Sequence, residues 1–184
     1  MKKNLFAIAL TATVLLSACG GGGSSDDSTF VGAADVSVST QPSQIDSGDR
    51  TEVVVTVWNV HENGIALKVR FPEGLGYVPG SAVLLIENKE IDLTPQVNAL
   101  VADEQTRYLV FFISQSSFRI NGQEYTGGEG TVVLQLEGLD GVTDGLIEVD
   151  PDVDDPAEAN DTEFSLEDPQ FVAEAEASIT VVAE

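Results

Sequence analysis

From about Ala34 onward apolar and polar side chains alternate with a period of two, and that pattern commits the chain to β-structure. Val36 and Val38 alternate with Ser37 and Ser39, and Val53, Val55 and Val57 with Glu52, Val54, Thr56 and Trp58. Leu67, Val69 and Phe71 alternate with Ala66, Lys68 and Arg70, Val132, Leu134 and Leu136 with Val133, Gln135 and Glu137, and Ile179 and Val181 with Ser178 and Thr180. Successive side chains of a strand point to opposite faces, so each run describes a half-buried strand with one face inward. Ala82–Glu87 and the apolar run Tyr108–Ser114 read as further strands. Asp46-Ser47-Gly48-Asp49, Glu62-Asn63-Gly64, Pro72-Glu73-Gly74, Pro79-Gly80, Asn121-Gly122 and Gly127-Gly128 supply the turns between them.

No amphipathic helix longer than two turns is predicted; Glu158-Ala159-Asn160 and Ala173–Ala177 are the only helix-leaning pieces. Seven or more short strands with Gly, Pro and Asn turns predict an all-β fold, an antiparallel two-sheet Ig-like sandwich. Roughly 150 residues are available where an immunoglobulin-like core takes about 100. The surplus is assigned to loops at 88–106, 115–130 and 150–169.

Charge narrows the function. Eight Lys and Arg stand against 31 Asp and Glu, a formal net charge of −23. Phosphate contacts need a basic patch, so nucleic acid is excluded as a partner. One His and one Cys leave no disulfide framework and argue against a Cys/His zinc site.

The N-terminus carries an address. Lys2 and Lys3 precede an apolar stretch from Leu5 to Leu16, too short for a spanning helix of about 20 residues and suited to a secretory signal. It ends in Leu16-Ser17-Ala18-Cys19, which resembles the bacterial lipobox. That resemblance implies a signal peptide over residues 1–18 and cleavage before Cys19. It also implies acylation of Cys19, which would hold the chain to membrane through its lipid. Gly20 follows where inner-membrane retention usually has Asp, so the resemblance implies an outer-membrane lipoprotein of the bacterial envelope. Residues 19–33 then form the anchor and a flexible Gly/Ser tether, Gly20–Thr29, with a reach on the order of 17 Å.

Residues 34–184 form the remaining domain. The stretch 34–83 resembles the Ig-like repeats of bacterial surface proteins known as domain of unknown function eleven. Pro42, Gly48, Asp49, Val55, Val57, Asn59, Phe71, Pro72, Gly74, Leu75, Tyr77, Gly80 and Ser81 carry the match. The family usually occurs in tandem, whereas this chain holds one copy. Cohesin-like sandwiches are a second resemblance, resting on the same alternation and turn spacing.

Candidate chemistry is sparse. His61, in Asn59-Val60-His61-Glu62-Asn63-Gly64, reads as an exposed turn histidine, and no G-x-S-x-G motif accompanies it. The expectation is therefore no enzyme and no catalytic residue. Trp58 falls on the strand face opposite Val53, Val55 and Val57 and is the candidate ligand-binding side chain for a glycan.

The acidic C-terminal part is the strongest remaining feature, with 18 acids and no Lys or Arg from residue 120 onward. Within it Asp150, Asp152, Asp154, Glu158 and Asp161 fall at positions 1, 3, 5, 9 and 12 of a loop. That spacing resembles the calcium loop of EF-hand and related proteins. Asp155 stands where that loop usually has Gly, and Asp161 is shorter than its usual bidentate Glu. Ca²⁺ is the candidate ion, with a solvated, mutually repelling loop as the other reading. The expected function is a non-enzymatic, lipid-anchored envelope module binding another envelope or extracellular protein. A carbohydrate-binding or hydrolase-accessory lipoprotein is the alternative.

Overall fold

A computed structural model of the chain describes residues 34–60, 64–101, 105–118, 128–151 and 171–183. Twelve strands and one short 3-10 turn, Gln115–Phe118, lie within them. The strands are β1 (Asp35–Gln41), β2 (Gln44–Asp46), β3 (Arg50–Val60), β4 (Ile65–Pro72), β5 (Leu75–Tyr77) and β6 (Val83–Ile86), followed by β7 (Lys89–Asp92), β8 (Val97–Val101), β9 (Thr106–Ile113), β10 (Gly128–Gly138), β11 (Val142–Asp150) and β12 (Ala175–Val182).

They form two six-stranded sheets. The first runs β1-β3-β10-β6-β7, with β5 also on β10; the second runs β2-β12-β11-β4-β9-β8. Neighbours are antiparallel except β2 and β12, which are parallel. The expected all-β, two-sheet sandwich is what the chain forms.

The inward faces are those the alternation marks. Val53, Val55, Val57, Val132, Leu134 and Leu136 of the first sheet are fully buried against Leu67, Val69, Phe71, Ile147, Val149 and Ile179 of the second. Each buried Val or Leu contributes about 1.5–3 kcal/mol, and β-branched side chains suit the pleated surface.

Three expectations are corrected. Residues 88–106 are not one loop, because β7 pairs with β6 and β8 with β9 within that span. Both strands lie at sheet edges, where alternation is blurred by solvent on either face. Within 115–130 the turn Gln115–Phe118 and the start of β10 are ordered elements. Ala173–Ala177 does not lean to helix: β12 begins at Ala175, with Ala175 and Ala177 half-buried and Glu174 and Glu176 exposed. Pairing with β11 overrides the helix propensity of Ala and Glu.

Gly64 opens β4 at φ +97°, and a Cβ there would run into the Ile113 carbonyl oxygen and the Gln115 backbone nitrogen. Only glycine fits this turn into the second sheet.

Candidate functional site

The two outward sheet faces differ sharply. On the first sheet the outward row Ser37–Thr56–Thr131–Leu85 crosses four paired strands, and the next row is Ser39–Val54–Val133–Val83. Every one of these eight side chains is uncharged. Ser37, Ser39 and Leu85 are exposed and the other five half-buried. Charge begins only at the margins, with Glu90 and Asp92 on β7 and Glu52 one step along β3. A chain of net charge −23 thus presents an uncharged strip.

Trp58 lies at one end of this face. It is half-buried and sits opposite Asp35 in the β1–β3 ladder. The ladder to β10 is irregular here: Val57 pairs with Gly130 and Val60 with Gly128, so Trp58 and Asn59 together oppose Glu129. Such a bulge re-aims a side chain. Asn59 takes φ +56°, which Asn tolerates better than most residues, and its side-chain amide donates to the Asp35 carboxylate.

On the second sheet the outward face is buried over the middle of β4 and β9 instead, while Leu146, Glu176 and Ser178 on β11 and β12 stay exposed. Lys68 of β4 lies directly opposite Asp150 of β11, with Nζ 2.8 Å from Oδ2 and side-chain exposures of 2% and 0%. The Val172 backbone N–H also donates to Asp150 Oδ2 at 3.0 Å. One step along, Arg70 faces Glu148, and its Nε and Nη2 each donate to a carboxylate oxygen at 2.7 Å. The guanidinium sits 4.3 Å from the Phe171 ring centroid, and Tyr108 meets that ring edge-on at 5.8 Å. Hydrogen bonding to Glu148 holds the Arg70 guanidinium above its ordinary range, against the opposing effect of burial. Tyr108, Val110 and Ala66 complete a buried layer on this face.

Asp150, expected at the first position of the calcium loop, therefore ends β11 in a buried ion pair. Asp152, Asp154, Glu158 and Asp161 lie outside the described residues, as do Cys19 and His61. Among the described residues no group of three or more His, Cys, Asp or Glu is placed to hold a metal ion.

Sequence reading missed the Lys68–Asp150 and Arg70–Glu148 pairs. Alternation correctly sets Lys68 and Arg70 on the face away from the core, but it cannot show that this face is covered. The available signal was the matched spacing of Lys68-x-Arg70 and Glu148-x-Asp150.

No protein-family model matches the chain, and no curated protein matches it. Solved structures similar to it include a non-cellulosomal cohesin from Archaeoglobus fulgidus, 15% identical, covering 81% of this chain and 92% of that one at a TM-score of 0.41. The sixth cohesin of Acetivibrio cellulolyticus scaffoldin B, solved in complex with a Cel5 dockerin, is 14% identical, with coverage of 80% and 99% and a TM-score of 0.43. The major pilin RrgB of Streptococcus pneumoniae is 12% identical over 65% of this chain and 23% of the pilin, at a TM-score of 0.41.

Proposed function

We propose that this chain is a non-enzymatic interaction module held at the bacterial envelope by a lipid on Cys19, which binds another envelope or extracellular protein through the outward face of its first sheet. The uncharged strip across β1, β3, β10 and β6 supports this reading. A surface otherwise dominated by carboxylates repels most acidic partners, and a neutral, half-apolar sheet face is where a partner can dock without desolvating charge. Its polar side chains are neutral hydroxyls of Ser37, Ser39, Thr56 and Thr131, which can both donate and accept a hydrogen bond on contact.

A photo-crosslinking residue at position 133, in the middle of the strip, tests the face in cells. One discrete protein adduct is expected, and it should vanish when Val54→Lys is added. Failure to form any adduct would remove this face from the proposal. Cys19→Ser tests the anchor: the variant should remain unprocessed and take up no lipid label.

A second reading is favoured by one observation, the placement of Trp58 at the end of the same face. A half-exposed indole beside hydroxyl-bearing strands suits stacking on a sugar ring. Polysaccharide would then shift the fluorescence of the single tryptophan. In that case Trp58→Ala would abolish binding, whereas a protein partner would survive the substitution.

A further inference from the structure

We propose that Lys68 and Asp150 condense to an intramolecular amide, joining β4 to β11 through their side chains. The two residues are direct cross-strand partners, and Nζ lies 2.8 Å from Oδ2. Hydrogen-bond contact to a carboxylate oxygen brings the amine to the edge of near-attack range on Cγ, which is about 3–3.5 Å. Both side chains are closed off from water, at 2% and 0% exposure, and Val110 flanks Lys68 on β9, itself buried.

Three physical conditions favour the reaction. Burying a separated ammonium and carboxylate costs several kcal/mol per ion, and the neutral amide relieves that cost. Holding both groups in one cross-strand position replaces a bimolecular encounter by a fixed one. The Val172 N–H, 3.0 Å from Oδ2, also donates to the carboxylate and fixes its orientation toward Nζ.

The step balances without a co-reactant. A proton passes from the Lys68 ammonium to the Asp150 carboxylate, and the freed Nζ lone pair attacks Cγ. A second Nζ proton moves to the departing hydroxyl, the C–O bond breaks, and one water leaves. The product is a secondary amide with one N–H on Nζ. No atom is oxidised or reduced, and the reaction occurs once per chain.

The test is mass spectrometry of the full chain purified from cells, denatured and digested with trypsin. The expected result is loss of cleavage after Lys68 and a branched peptide, lighter by one water, joining the segments that hold Lys68 and Asp150. Asp150→Asn should give the same branched product, since the amide then forms by losing ammonia instead. Lys68→Arg keeps a cation opposite Asp150 but should show neither the branched peptide nor the mass loss. Its circular dichroism confirms that the fold persists. A wild-type digest containing free peptide ending at Lys68, with no branched species, would overturn the proposal.

Discussion

Arg70 and Glu148 meet in a two-pronged ion pair across β4 and β11, and the same guanidinium lies 4.3 Å from the centroid of the Phe171 ring. One side chain therefore ties two strands of the second sheet to the segment that leads into β12. Arg70→Lys keeps the charge and loses both the fork and the stacking, because an ammonium cannot match a carboxylate bidentately. A loss of about 1–2 kcal/mol is expected from urea unfolding of the variant beside wild type. The pH sign follows from the raised Arg70 value. A cation stabilised on folding contributes fully below its unfolded value and loses that contribution only as pH rises through the higher folded value. This arginine's own titration therefore adds no pH dependence to stability from neutral to moderately alkaline solution.

Val55 and Val54 are chain neighbours with opposite fates. Val55 is fully buried between Val38 and Val132, while Val54 sits half-buried on the outward strip. Val55→Asp buries an unpaired charge and should cost more than about 4 kcal/mol, leaving no cooperative melt. Val54→Asp should shift stability by only about 0.5 kcal/mol while disrupting partner binding. A folded Val55→Asp variant would mean that the inward face is assigned backwards.

Gly64 and Gly48 separate backbone conformation from crowding. Both have positive φ, +97° and +89°, but a Cβ at Gly48 meets nothing within 4 Å, whereas at Gly64 it collides with backbone. Gly48→Ala should cost about 1 kcal/mol and Gly64→Ala distinctly more, as read by chemical denaturation.

Calcium is tested by melting the full chain in EDTA and then in millimolar Ca²⁺, with Mg²⁺ as control. Asp150 is held by Lys68, so an ion in the 150–169 loop would draw on Asp152, Asp154, Glu158 and Asp161. An ion at about 100 times its dissociation constant adds roughly 2.7 kcal/mol. The expected rise is Ca²⁺-selective and lost in Asp152→Asn/Asp154→Asn. An unchanged midpoint would return these carboxylates to solvated surface.

The strands that carry the core were legible because burial on one face writes itself into the sequence as alternation. Val53, Val55 and Val57 show this, as do Val132, Leu134 and Leu136. β7, Lys89-Glu90-Ile91-Asp92, was illegible because Ile91 is the one apolar residue of its four, and even that is half-buried. β12 was half legible: Ile179 and Val181 announce it, but Ala175 and Ala177 are too small to register as an apolar face. The uncharged strip follows in part from reading Val54, Thr56 and Val133 as outward residues, yet only strand pairing lines them up with Ser37, Ser39, Val83, Leu85 and Thr131. Trp58 was placed on the right face, while the bulge that it shares with Asn59 depends on the register with β10. Burial of Lys68 depends on what covers the second sheet, which no local pattern encodes.

The parallel contact between β2 and β12 has a mechanical consequence. Gln44, Ile45 and Asp46 pair in step with Thr180, Val181 and Val182, and upstream Thr40 donates from Oγ1 to the Ser178 carbonyl. The first strands and the last therefore advance in the same direction, so tension applied at the two ends of the domain drags them past one another lengthwise. Their hydrogen bonds are loaded together in shear and must rupture as a set, where an antiparallel terminal pair would peel apart one bond at a time.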